Sequence, residues 1–372
     1  MRFNELTADH MDLRRVGINP EFWYPLARSQ DLRPGKIRGV RFAGEPVALI
    51  RTHAGAVFAL EDRCAHRQVP LHMGVLSGDT VRCAYHGWSY DMSGKLTRVP
   101  YLCDESTPPC RGVRSFPCRE AYGHIFVFPG EPSKASQVSI PSIPQWGSSE
   151  FLAMRFRRKL NCHYSFMHEN LMDMNHQFLH RKLMGFVEPV LLDWQQGEDW
   201  IEARYKFRNK KDVKPHRGSS FMLAGGGRDE GSANHDFELM VVRTEYPYQR
   251  LEVFPARSAK AAVSLWAAYV PVDREQHVNH SFGILMVRKP PISALAYVMW
   301  PAMRLFTELV FRQDKMIVEA EQKAYDAQGG DLNQEVFPVI LSLRQILRRC
   351  GVAARAEREP VLSETVSHLT TH

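Results

Sequence analysis

Cys64-Ala65-His66 and, sixteen residues on, Cys83-Ala84-Tyr85-His86-Gly87-Trp88 decide how this chain is read. Each segment falls at a turn between β-like runs, so two thiolates and two imidazoles arrive on paired hairpin loops. Such a set can hold a metal centre, either a Cys₂His₂ zinc site or a [2Fe–2S] cluster with mixed ligands. With 7 Cys and 16 His in 372 residues, the pattern arises by accident with a probability on the order of 10⁻⁴. Spacing separates the two metals. A zinc finger pairs Cys with Cys on one loop and His with His on a helix, whereas each loop here delivers one Cys and one His. That pairing suits a cluster whose inner iron takes both sulfurs and whose outer, surface-facing iron takes both nitrogens.

Around these loops, from Glu21 to about Phe128, short β-like runs alternate with Gly, Pro and Asp turns: Pro46 to Ile50, Ala56 to Leu60, Val81 to Ala84 and Ile125 to Phe128. They predict a small all-β domain. Pro129 to Gly147, with four prolines, reads as an extended linker. The expected boundary is therefore near residue 150, giving a cluster domain over 1–150 and a second domain over 151–355. In the second part Phe151–Leu160, Trp200–Phe207, Leu251–Phe254 and Ala262–Val270 alternate like strands of one antiparallel sheet. Tyr164–Met184 and Ala302–Ala327 lack Pro and Gly and carry a 3.6-residue period, which predicts two helices. The fold class is α+β: a small all-β domain followed by an antiparallel sheet flanked by helices.

The first of those helical segments places Asn170, Asp173, His176 and His180 at steps of three, three and four, one stripe on a helix. His176 and His180 can aim two nitrogens at one ion, and Asp173, a turn back, can bond the far nitrogen of a ligand and fix its tautomer. A facial triad for iron also needs a carboxylate. On the second helix Met303, Phe306, Val310, Asp314 and Ile317 share a side, which makes Asp314 the single carboxylate in an apolar stripe. Burying it there is costly without a compensating cation. Glu308, Glu319 and Glu321 are its competitors; the plain alternatives are a buried salt bridge to an arginine for Asp314 and, for the first helix, an ordinary polar face with a satisfied histidine.

Taken together these residues resemble the Rieske non-haem iron oxygenases. That family's motif is Cys-x-His, a loop of similar length, then Cys-x-x-His, and the match includes Arg67 and Gly87-Trp88. It also carries Asn-x-x-Asp-x-x-His, a second His four or five positions on, and a distant helical Asp often followed by Lys, as in Gln313-Asp314-Lys315. Trp23-Tyr24 resembles the family's Trp-Tyr-Pro opening of the cluster domain, and the likeness spans about residues 20 to 325. By this resemblance Cys64, His66, Cys83 and His86 hold the [2Fe–2S] cluster. His176, His180 and Asp314 hold a mononuclear Fe(II). Asp173 links the iron site of one subunit to His86 of a neighbour in a head-to-tail homotrimer, and Asn170 lies near the iron. The resemblance further implies electrons from a separate reductase or ferredoxin, O₂ as co-substrate, and monooxygenation, including oxidative demethylation, ahead of dihydroxylation. An electron-transfer protein without catalytic iron explains the first constellation equally well but leaves the second without a reason. A zinc-holding scaffold would be colourless.

Bulk properties bound the rest. An apolar fraction of 44% and a charged fraction of 24% are ordinary for a globular chain. The net charge of +7 is dispersed, which argues against nucleic acid as a partner. The other cysteines, Cys103, Cys110, Cys118, Cys162 and Cys350, read as small buried hydrophobes in a reducing cytoplasm. Met1 to Leu13 offers no signal peptide. Pro290 to Phe311 is the most apolar stretch, too interrupted to span a membrane, yet able to line a greasy pocket or touch a bilayer. Phe166, Met172, Met184, Phe254, Trp266 and Phe282 could wall an apolar or polycyclic substrate site, though most are expected in the core. Ser219 to Asn234 reads as a Gly-rich surface loop, Phe337 to Cys350 as an apolar helix, and 356–372 as a frayed tail.

Overall fold

A computed structural model describes residues 12–102, 110–185, 187–209, 239–255, 258–290 and 293–353. The Gly-rich segment, the tail, Cys103 and most of the N-terminal stretch lie outside them.

The first half contains strands β1 (Val16–Gly17), β2 (Tyr24–Arg28), β3 (Lys36–Phe42), β4 (Glu45–Arg51), β5 (Val57–Glu61) and β6 (Val75–Ser77). It continues through β7 (Thr80–Arg82), β8 (Ser89–Tyr90), β9 (Leu96–Arg98), β10 (Ser115–Phe116), β11 (Cys118–Ala121) and β12 (His124–Val127). Three small antiparallel sheets result, ordered β10-β5-β4-β3, β11-β12-β2 and β6-β7-β8-β9. Ile50, Leu60, Leu71, Val81 and Tyr90 close a core of their own around Cys64 and Cys83. This is the all-β unit expected from the turn spacing.

The segment read as a linker is irregular but not free. Ala135 and Ile143 are buried beside Trp23, Phe126, Tyr248 and Trp266, and the Trp23 indole N–H donates to the Val138 carbonyl at 2.8 Å. Apolar side chains between the prolines thus staple the small sheets to one face of the large one.

The large sheet holds seven strands: β13 (Phe151–Leu160), β14 (Val187–Gln196), β15 (Trp200–Asn209), β16 (Leu239–Glu245), β17 (Tyr248–Phe254), β18 (Val263–Pro271) and β19 (Asn279–Arg288). Their order is β13-β19-β18-β17-β16-β15-β14, antiparallel throughout. Five pairings join strands consecutive in sequence, and β13–β19 closes the set, with Leu160 opposite Asn279 and Phe151 opposite Arg288. Gly283 makes this closure possible: a Cβ there would sit 2.1 Å from the ring of Phe156.

Helices α1 (Tyr164–Met172), α2 (Arg181–Met184), α3 (Ser293–Gln328) and α4 (Pro338–Cys350) complete the fold. The predicted single helix over Tyr164–Met184 is interrupted. Asp173 adopts φ −87°, ψ 94°, ends α1, and accepts a hydrogen bond from the Asn175 amide to start a 3₁₀ turn over Met174–Phe178. An Asp competes well for nearby amides, which is why it favours caps over helix interiors. Helix α4 buries Val339, Ile340, Leu343, Ile346 and Leu347, the spacing of one apolar face. It also brings Arg344 to Glu169, which Arg14 clasps from the other side at 2.8 Å. Strand β20 (Val352–Ala353) then pairs with β1, so the first described residues are held by the last.

Candidate metal centres

The loops after β5 and β7 share one backbone design. In each, the cysteine amide donates to the carbonyl five residues on, Cys64 to Val69 and Cys83 to Trp88, both at 2.8 Å. The amide four residues on returns to the cysteine carbonyl, from Gln68 at 2.9 Å and from Gly87 at 3.2 Å. That returning residue has positive φ in both, 61° at Gln68 and 72° at Gly87, a conformation in which glycine is least strained. The result sorts the four side chains by depth. Both thiols are buried, whereas His66 is exposed and His86 half-exposed, their ring centroids 4.7 Å apart. Sulfur donors inside and nitrogen donors outside is the arrangement a two-iron cluster with unlike ends requires.

Two aromatic side chains support these loops. The Tyr90 hydroxyl accepts from the Ala65 amide at 3.0 Å and lies 3.2 Å from Cys64 Sγ. Trp88 stacks on His66 with centroids 4.8 Å apart and planes 5° from parallel. Burial pushes the Cys83 thiol pKa up, so a bound metal, not the protein alone, would be needed to hold it as thiolate.

The second constellation converges through strand and helix lengths. Strand β13 hands the chain to α1 at Leu160, beside the start of β19, and α3 follows the far end of β19. From Ser293 to Asp314 the helix rises about 32 Å, close to the roughly 33 Å length of a ten-residue strand. Asp314 therefore returns to the level at which α1 begins. Contacts hold this register: Lys315 Nζ donates to the Lys159 carbonyl at 3.0 Å, the Asn161 amide to Glu319 at 2.8 Å and the His163 amide to Gln322 at 2.7 Å.

His176, His180 and Asp314 consequently offer three donor atoms all within 4.8 Å of one another. His180 Nε2 lies 3.2 Å and His176 Nε2 3.9 Å from Asp314 Oδ1. The far nitrogens are both spoken for: His180 Nδ1 by Gln313 Oε1 at 2.8 Å and His176 Nδ1 by the Asp173 carbonyl at 2.6 Å. Carbonyl oxygens only accept, so each neutral ring carries its proton on Nδ1 and turns a bare Nε2 inward. His180 Nε2 and Asp314 Oδ1 are buried without a hydrogen-bond partner. Three converging lone pairs are unfavourable unless a cation sits among them, and two imidazoles with one carboxylate suit non-haem iron. Burial holds His176 below the usual imidazole range. For His180 burial pulls the same way, but the Asp314 carboxylate and Gln313 outweigh it and raise its pKa.

Several expectations change. The tautomer of His176 is set by the Asp173 backbone; the Asp173 carboxylate instead holds Asn175, through its amide at 2.9 Å and its side chain at 2.8 Å. Asn170 sits half-buried on the last turn of α1. Gln313, beside Asp314, is a further functional residue through its bond to His180; its signal in the sequence is a long amide abutting an apolar-stripe carboxylate. Glu308 pairs with Arg158, Glu319 with Asn161 and Lys315, and Glu321 faces solvent. Phe166, Met172, Met184, Trp266 and Phe282 are buried in packing, as expected of most of that group. Of the described spare cysteines only Cys162 is fully buried. A cavity of about 540 Å³ opens between the cluster loops and the sheet, lined by Arg63, His72, Arg157, His280 and Phe282 among others; no residue of the triad lines it.

Comparison with known proteins accounts for both halves. Residues 22–117 match the Rieske [2Fe-2S] domain, and residues 160–350, just over half the chain, match the vanillate O-demethylase oxygenase C-terminal domain. The chain is 29% identical over 344 residues to a 4β-methylsterol monooxygenase of Methylococcus capsulatus, covering 90% of this chain and 89% of that protein. It is 33% identical over 160 residues to the oxygenase component of dicamba O-demethylase from Stenotrophomonas maltophilia, which spans 43% of this chain and less than half of that one, 47%. Among solved structures, dicamba monooxygenase bound to 3,6-dichlorosalicylic acid shares the fold with a TM-score of 0.71 at 22% identity, covering 91% of this chain and 97% of that one. The C-terminal match removes the reading as a bare electron carrier. The chain belongs to the Rieske non-haem iron oxygenases of the vanillate O-demethylase type, enzymes that combine a Rieske [2Fe–2S] cluster with mononuclear iron.

Proposed function

We propose that this oxygenase component inserts one oxygen atom into an apolar, polycyclic substrate of sterol size, by hydroxylation or oxidative demethylation. Cys64, His66, Cys83 and His86 hold the cluster within a unit spanning about 1–150, and His176, His180 and Asp314 hold iron within 151–355. The observation that carries the reading is the inward-facing His180 Nε2 and Asp314 Oδ1, buried, unpartnered and 3.2 Å apart. His176, His180 and Asp314 would hold ferrous iron, which would supply the activation of O₂ beside the substrate.

The chain's own residues do the rest. Gln313 and the Asp173 carbonyl keep both ring protons away from the ion, and the buried surroundings of His180 exclude competing water. The exposed edge at His66 and His86 is where an electron enters from a separate reductase or ferredoxin in the cytoplasm. A head-to-tail homotrimer brings His86 of one subunit to the half-buried Asp173 of the next, with Asn170 behind it. The sterol-sized substrate is supported by the near full-length similarity to a methylsterol monooxygenase.

Iron counting tests the assignment. The loaded protein should contain about three irons per subunit, and His176→Ala should lose the mononuclear one while keeping the cluster's absorption. An unchanged count would remove His176 as a ligand. A panel of sterols and smaller aromatics, assayed by O₂ uptake with a surrogate reductase, tests the substrate class; turnover of small aromatics alone would overturn it.

A further inference from the structure

Helix α3 is packed into the core around Val318 and Gln322 and only partly covered from Tyr297 to Phe311. Val318 and Gln322 are buried, yet from Tyr297 to Phe311 no residue is, although the stretch is largely apolar. Val298 is 77% and Leu305 62% exposed; seven residues apart, they share one face, with Ala302 between them. Arg304, Glu308 and Arg312 border that face. Glu308 is the single acid from Ser293 to Gln313 and is already paired with Arg158. Lys289 adds a cation 5.5 Å from the ring of exposed Tyr297. The uncovered surface is therefore an apolar strip edged by net positive charge, with exposed Tyr297 at its outer end.

We infer that this half of α3 lies on the surface of an anionic phospholipid bilayer. Apolar residues on one face, cations at the margin and Tyr or Trp at the headgroup level are what a helix in the plane of such an interface needs. No helix among the described residues is long and apolar enough to cross a membrane, so the contact is peripheral. The net positive margin of an otherwise apolar strip favours an anionic lipid surface over a protein partner. Asp314 lies on the same helix about 14 Å beyond Leu305 but, nine residues on, points from the opposite face, so the strip can rest on lipid without covering the triad. The inference rests on the proposed sterol-sized substrate for its purpose, but not for its measurement.

Co-sedimentation of the cluster- and iron-loaded protein with phosphatidylcholine vesicles, with and without phosphatidylglycerol, tests it. The wild type should bind the anionic vesicles and release them in high salt. The double variants Val298→Asp/Leu305→Asp and Arg304→Gln/Arg312→Gln should each bind roughly tenfold more weakly or worse. Their cluster absorption, gel-filtration position and turnover of detergent-solubilised substrate should match the wild type, which shows that they fold. Wild-type protein left in the supernatant would overturn the inference. So would a Val298→Asp/Leu305→Asp variant that binds vesicles normally but dissociates to a smaller oligomer, since a second copy would then be what covers the strip. Vesicle binding by an enzyme that oxidises no sterol would leave the lipid contact standing and remove the substrate reading instead.

Discussion

Replacing Gln313 by Leu should weaken iron binding without touching any proposed ligand. The side chain is similar in size and helix preference, so α3 and Asp314 stay in place. What disappears is the oxygen 2.8 Å from His180 Nδ1. His180 is 1% exposed, so water cannot take over, and a buried donor left unsatisfied costs about 1–3 kcal/mol. The ring escapes that cost by moving its proton to Nε2 or rotating, and either removes a lone pair from the metal. At about 1.4 kcal/mol per factor of ten, iron affinity should fall roughly 5- to 150-fold, a span that brackets the roughly 10- to 100-fold losses found when partners of metal-bound imidazoles are removed. Fe(II) titration of protein with its cluster intact measures this, the cluster's visible absorption reporting on folding. Gln313→Glu, which keeps an acceptor there, should bind iron well. Wild-type affinity in Gln313→Leu would refute the argument that the amide orients His180.

Other outcomes follow from single contacts. Asp173→Ala should retain cluster absorption and iron content but lose multiple turnover, because the carboxylate would serve transfer between subunits; normal rates would end the bridging role. Gly87→Ala places a Cβ at φ 72°, 3.2 Å from Pro100. Since Gln68 tolerates the same conformation in the sister loop, the penalty should be only about 1–2 kcal/mol, seen as a lower melting temperature and faster bleaching of the cluster. His168 is fully buried, and burial holds its pKa down to about 3, against a nearby Glu169 that raises it. A depressed folded-state value means that stability is complete above the unfolded histidine pKa of about 6.5 and is lost on acidification at about 1.4 kcal/mol per pH unit. His168→Phe, which keeps the edge contact to Tyr269, should therefore unfold at a lower pH; an unchanged acid midpoint would show that His168 does not titrate with unfolding.

What could be read before folding was what is local. Both cluster loops lie within a short span, and Cys64, His66, Cys83 and His86 carry their spacing on the surface of the sequence. His176 and His180 were visible for the same reason, and Asp314 because a lone carboxylate among apolar residues demands a partner. The break at Asp173 was not visible, since periodicity continues through a 3₁₀ turn and only the backbone shows which amide the carboxylate takes. Strands β14, β16 and β19 were missed: Pro189 interrupts the first, and the run from Asn279 to Arg288 is apolar on both faces, without the alternation of a half-exposed strand. The pairing of Val16–Gly17 with Val352–Ala353 joins the two ends of the described chain and leaves no trace in a window of any practical length. Gln313 and Tyr90 act through single hydrogen bonds, which composition and period do not encode.

The β13–β19 ladder works as a ruler for everything beyond it. The two donor sets emerge from opposite ends of this one strand pair, so a slip of a single residue would carry α3 about 3.3 Å along the sheet and turn β19 inside out. That displacement is comparable to the entire spread of the triad. Insertions or deletions of one residue in the turn before Asn279 or between Arg288 and Ser293 should thus abolish iron retention while the cluster, housed in separate sheets, keeps its colour.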